Sequence, residues 1–142
     1  MSVEENKRVV MQFIEYMELQ DYEKLASLLT ETFTWVIPAR AEGLKDVPKV
    51  RDKPFTVQRI KANRDLMERG MSLKPVAWTV QDDRVALEAE GTVVWNNGKV
   101  YNNLYHLAFV IRDGKLDKFT EYCDYLYAWE TNPLLSKPAT KS

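Results

Sequence analysis

Only one cysteine, Cys123, and one histidine, His106, occur among the 142 residues. A lone cysteine excludes an internal disulfide and suits a reducing cytoplasm. With a single histidine beside it, neither a zinc-type cluster nor a choice of Cys–His–Asn sets can be assembled, so no metal site is expected. The five glycines are scattered, which leaves no glycine-rich phosphate loop, and no cofactor is expected. No run approaches the roughly 18–20 apolar residues of a membrane span. Charge of either sign is not in excess: 20 basic against 21 acidic residues give a net −1. Neither nucleic acid nor a membrane is therefore an expected partner. The first five residues carry neither the basic nor the apolar region of a signal peptide, and the expected location is the cytoplasm. These absences push any chemistry towards carboxylates, tyrosines and water.

A hydrophobic content of 45% with 29% charged residues is ordinary for a globular domain with a sizeable core. One domain is expected over residues 1–132, followed by a disordered tail over 133–142. Ser2 with Glu5 three residues later forms a capping box, and Val9, Val10, Phe13, Ile14 and Met17 follow at helical spacing, which predicts a helix over 3–19. Asp21 caps a second, short helix. Phe33 to Ile37 reads as a strand stopped by Pro38. Residues 39–53, with Gly43, Pro48 and five Lys or Arg, read as a long loop of the kind that serves as a lid. A third helix is predicted from Pro54 to Arg69, ended by Gly70, then a strand over 71–80. From Val85 to Tyr125, alternating apolar runs joined at Asn97-Gly98 and Asp113-Gly114 predict three strands in a meander, because both turn pairs tolerate positive φ. The order α-α-β-α-β-β-β-β is that of an α+β fold.

Face assignment decides which acids matter. In the 101–111 strand the odd positions carry the larger side chains and are expected to lie under the helices. A three-residue bulged loop at Asp113-Gly114 aligns Phe119, Glu121, Cys123 and Tyr125 with that face, and sets Glu121 opposite Tyr105. A two-residue loop at Asn97-Gly98 would place Glu90 opposite Tyr105, Thr92 opposite Asn103 and Glu88 opposite Leu107. Apolar alternation through Val85, Leu87, Ala89, Val93 and Trp95 points the other way, and periodicity leaves the two open.

The string Gly98-Lys99-Val100-Tyr101-Asn102, Asp113-Gly114-Lys115-Leu116, Glu121-Tyr122-Cys123-Asp124, with the element order, resembles the nuclear-transport-factor-2-like superfamily. That group includes ketosteroid isomerases, SnoaL-like polyketide cyclases and limonene epoxide hydrolase. The resemblance implies a cone: a curved antiparallel sheet wrapped around three N-terminal helices, with a pocket at the wide end. Beside limonene epoxide hydrolase, Glu121 falls at the water-activating acid and Glu90 at the general acid. Glu88 stands where an arginine lies between those acids, and Thr34 and Val36 stand at the water-orienting Tyr and Asn. The ketosteroid-isomerase set is not matched residue for residue.

The resulting expectation is a cofactor-independent enzyme for proton transfer (isomerisation, cyclisation or dehydration) on a small apolar polyketide-, steroid- or terpenoid-like molecule. Glu121 is the candidate base, Glu90 its acid partner and Tyr105 a hydrogen-bond donor. Trp35, Asn103, Thr92, Met67, Phe119 and Cys123 are the candidate pocket lining. The bland alternative for Glu121 is a rim carboxylate paired with Arg59 or Arg64. Asp124 has the outward parity and is expected to cap the segment 125–130, and His106 is expected on the convex face of a homodimer. A non-catalytic small-ligand or protein-binding module is the competing expectation.

Overall fold

The computed structural model describes residues 2–133; of the tail expected over 133–142, all but Pro133 lies outside the described residues. Helix α1 spans Val3–Leu19, with both bonds of the Ser2–Glu5 capping box made. Helix α2 spans Tyr22–Ser27 and is capped by Asp21, whose carboxylate accepts from Lys24 N. Strand β1, Leu29–Val36, begins four residues before the predicted strand, because Leu29 already pairs with Leu116. Within the expected loop the chain forms a short 3₁₀ turn, Glu42–Leu44, and an unexpected strand β2, Val50–Asp52.

Helix α3, Lys53–Arg64, starts on an Asp52 N-cap with Pro54 in its first turn. It stops five residues before the expected end. Residues 66–68 instead pair with the meander: Glu68 N donates to Val94 O and Asn96 N donates to Leu66 O. Strands β3 (Ser72–Gln81), β4 (Arg84–Val94), β5 (Val100–Arg112) and β6 (Lys115–Cys123) follow, then helix α4, Tyr125–Thr131. The sheet order is β2-β1-β6-β5-β4-β3. Every neighbouring pair is antiparallel except β1 with β6, so the sheet is mixed rather than wholly antiparallel.

Two registers differ from expectation, for identifiable reasons. Trp95 N donates to Lys99 O, so the β4–β5 loop has three residues, 96–98, with Gly98 at φ 84°. That loop pairs Ala89 with Tyr105 and Gly91 with Asn103, which turns Glu88, Glu90 and Thr92 outward. Between β5 and β6 the turn is the two-residue Asp113-Gly114, both at positive φ. The extra residue sits further on, at Asp117, unpaired between the Ile111–Leu116 and Val110–Lys118 pairs. Thr30 and Thr32 hydroxyls donate to its carboxylate at 2.6 and 2.8 Å. Glu121 consequently faces inward as expected, but opposite Leu107 rather than Tyr105.

The core lies between α1 and the concave face. Phe13 packs edge-on against Phe109 and against Phe119, and Phe109 stacks on Phe119 at 4.9 Å. Leu25, Leu29, Phe33, Leu87, Leu107 and Leu116 are fully buried around them. A second small cluster, Ile37, Ala39, Leu44 and Val47, is packed against Trp35, Tyr125 and Trp129. It ties the loop after β1 to α4 across one end of the sheet.

Candidate functional site

The concave face does not fill completely. Between it, α1, α3 and α4 lies a cavity that opens to solvent. Its wall is mostly apolar, from Phe13, Phe33, Trp35, Leu107 and Phe119 deep in the cone to Leu44 and Val47 in the loop after β1. Among the described residues, three charged side chains reach it: Glu121, Arg51 and Arg59. An apolar hollow with a few convergent polar groups is what a small-molecule site requires.

Glu121 enters the wall because the Asp117 bulge shifts β6 by one residue. What surface it retains lies on the cavity. No hydrogen bond reaches its carboxylate among the described residues. Burial raises its pKa from 4.5 to about 7, against a smaller lowering by the Arg51 guanidinium. The carboxyl is thus protonated or ionised with comparable ease near neutrality, which suits a general acid or base.

Arg51 is the middle residue of β2, with Val50 and Asp52 turned outward. It pairs with Trp35 in β1 and is 4% exposed. Its guanidinium lies 4.3 Å from the Trp35 ring centre and 5.4 Å from that of Phe55. Nε donates to Pro48 O at 3.2 Å. Burial, then the neighbouring Arg59, lowers its pKa to about 10, so it stays charged at neutral pH. Arg59, on α3, stacks over the other reach of Phe55 at 5.4 Å.

Tyr105 is held by a relay along β5. Asn103 Nδ2 donates to the Tyr101 hydroxyl at 2.8 Å, and the Tyr101 and Tyr105 hydroxyls are 2.6 Å apart. Either hydroxyl can donate in that contact; when Tyr101 donates, the Tyr105 O–H is left to donate elsewhere. Tyr127 of α4 stacks on Tyr101 at 5.2 Å. Burial, and next the nearby Glu121, raises the Tyr105 pKa, so the phenol stays neutral. The Tyr105 ring has room only because residue 91 is glycine: a Cβ there would stand 2.6 Å from its Cε2.

Of the expected site residues, Glu121, Tyr105, Trp35, Met67 and Phe119 meet at the cavity wall. Glu90 and Thr92 do not. They occupy the outer face, where Asn102 Nδ2 donates to both, at 3.0 and 2.9 Å, because the three-residue loop fixes the opposite parity. Thr34 and Val36 share the outward parity, since Phe33 and Trp35 are the β1 residues on the wall. Asn103 is buried but acts behind Tyr101. Cys123 pairs with Tyr105 in register and is half-buried; burial raises its thiol pKa and keeps it protonated. Asp124 caps α4, accepting from Tyr127 N, and His106 faces outward beside Tyr122. Arg64 lies over Tyr22, away from Glu121.

The sequence reading missed Arg51, Tyr101 and Tyr125 as wall residues. Asp52-Lys53-Pro54 is a helix-start signature that ties residue 51 to the base of α3, and that signal was available. Four buried polar atoms of the wall have no hydrogen-bond partner among the described residues: Trp35 Nε1, Trp95 Nε1, Asn63 Oδ1 and the Tyr125 hydroxyl. Among the described residues, no group of three or more His, Cys, Asp or Glu could hold a metal ion. No helix there is long and apolar enough to cross a membrane.

No protein-family profile matches the chain, and no curated protein matches it in sequence. Solved structures do match in shape. TerC co-crystallised with polyporic acid is 19% identical with a TM-score of 0.73, covering 89% of this chain and 96% of its own. An NTF2-like protein from Burkholderia xenovorans LB400 is 21% identical with a TM-score of 0.73, covering 93% and 98%. PrhC from Penicillium brasilianum is 14% identical with a TM-score of 0.77, covering 89% and 85%. At these identities the likeness is one of fold. The α+β cone of the NTF2-like proteins is the fold of this chain.

Proposed function

We propose that the protein is a cofactor-independent acid–base enzyme of the cytoplasm that moves a proton on a small apolar substrate, in an isomerisation, cyclisation or dehydration. The observation that carries this reading is a single carboxyl, Glu121, in an apolar cavity with a pKa of about 7. Its ionised form takes a proton from carbon, and Tyr105 donates to the oxygen on which charge develops. The partnership of Glu121 with Glu90 is withdrawn, since Glu90 is on the other face of the sheet. One acid replaces a coupled pair, so activity rises once with pH, through about 7, as Glu121 ionises. TerC, taken up in crystals with polyporic acid, supports a cone of this kind as a container for small organic molecules.

A simple ketone tests the chemistry without knowledge of the natural substrate. Wild-type protein in D2O is expected to exchange the α-protons of 2-tetralone, followed by NMR, and Glu121→Gln is expected to be inactive while remaining folded. Equal exchange by the two proteins would remove Glu121 from the mechanism.

A second reading is a binding module without turnover, favoured by the absence of the second acid and the intervening arginine. A ligand-induced rise in melting temperature with no exchange would select it. In either case we propose a homodimer through the outer sheet face, where Leu104 is 70% exposed.

A further inference from the structure

We propose that Arg51 and Arg59 form an anion-binding subsite in the cavity wall, which seats a carboxylate carried by an apolar molecule. As a statement about the substrate this rests on the acid–base reading; as a binding site it can be tested without turnover. The charge inventory leads to it. Two arginines and one acid line the cavity, and neither arginine enters an ion pair among the described residues. A guanidinium that is 4% exposed and has no counter-ion is costly, and the like charge of Arg59 adds to that cost.

The acids nearby do not supply the missing charge. Asp52, next in sequence to Arg51, spends its carboxylate on Phe55 N at 2.9 Å as the α3 cap. Glu31 is taken by Lys53 at 2.9 Å. Glu121 lies beyond ion-pair distance of Arg51 and holds its proton into the neutral range. The cavity end is thus positive overall while Glu121 is protonated. The Arg51 guanidinium lies against the Trp35 and Phe55 rings, its Nε donates to Pro48 O, and the side chain is almost wholly buried, which together hold its donors in orientation. A fixed guanidinium fork in an apolar wall matches a flat two-oxygen anion far better than it matches a neutral carbonyl. The second arginine comes from α3, lies against the same Phe55 ring as Arg51, is close enough to lower its pKa, and lines the same cavity, so both charges act on one end of it.

The test uses a matched pair of probes, 2-naphthoate and 2-naphthamide, with binding to the full chain measured by calorimetry at pH 7. Wild-type protein is expected to prefer the carboxylate by about tenfold or more, the discrimination typical of a charged hydrogen-bond pair. Arg59→Gln is expected to reduce that preference, and Arg51→Gln to erase it. Arg51→Lys, which keeps the charge and loses the fork, is expected to be intermediate. Glu121→Gln is expected to retain the preference, which separates a failure of the subsite from a failure of the proposed base. Equal affinity for the two probes, no detectable binding of naphthoate, or a preference undiminished in Arg59→Gln would overturn the proposal. Arg59 is only partly buried, on α3, and its replacement is separate from that of Arg51, so that arm does not depend on how Arg51→Gln folds.

Discussion

Glu121 is an acid held where ionisation is opposed, and that opposition has a cost in stability. Its pKa in the unfolded chain is near 4.5 and in the folded chain about 7. Between those values the folded state keeps a proton that the unfolded state has released, so stability falls as pH rises through that window and levels off above it. A shift of this size corresponds to about 3 kcal/mol at most. Glu121→Gln is therefore expected to match wild type near pH 4 and to exceed it in urea denaturation by up to that amount at pH 8. Parallel stability profiles from pH 4 to 8 would mean that the carboxyl is not desolvated. The groups facing it are Arg51 from β2, Tyr105 from β5, Cys123 beside it on β6 and Tyr125 from α4. Of these only Arg51 is charged near neutrality, and its attraction is too weak to reverse the effect of burial. The same desolvation that lowers stability is what would suit the group to the proposed role of base.

The elements that carry the two arginines depend on one cap. Asp52 ends β2, starts α3 and accepts from Phe55 N, while its own carbonyl accepts from the Thr56 hydroxyl at 2.8 Å. Asp52→Ala is expected to cost about 1 kcal/mol, read as a calorimetric melting point lower by about 3–4 °C in a chain of this length. An unchanged melting point would show that tertiary packing alone holds this junction. Here also lies the limit of what was legible in the sequence. Ser2 and Asp21 announced α1 and α2 because a cap is a local signal. Three residues, Val50–Asp52, are too few to display alternation, so β2 and Arg51 with it read as loop. The meander was legible as strands, and its apolar alternation gave the correct face for β4. Turn chemistry was the weaker guide: Asn97-Gly98 belongs to a three-residue loop, and the residue assigned to a bulged Asp113-Gly114 turn sits at Asp117. That position is selected by Thr30 and Thr32, 85 or more residues away in sequence, and no local rule reports it. The end of α3 was missed for a similar reason, because the backbone of residues 66–68 is claimed by β4 and its loop.

The described residues form a cone whose inside and outside carry different side chains. Inside are the acid, the arginines and the tyrosine relay; outside are Glu88, Glu90, His106 and the exposed Leu104. Leu104→Glu is expected to convert a dimer into a monomer in analytical ultracentrifugation while leaving 2-tetralone exchange per chain unchanged. A wild-type protein that sediments as a monomer would remove the outer face as an interface. These outer-face changes do not touch Glu121, the carboxyl in the cavity whose pKa burial raises towards neutrality. Titration of the Glu121 side-chain carboxyl by NMR, in protein labelled with 13C at glutamate Cδ and assigned with Glu121→Gln, measures that directly. The expected midpoint is about 7; a midpoint at or below 4.5, the value of an ordinary solvated glutamate, would show that the carboxyl is not desolvated and would remove it as the base.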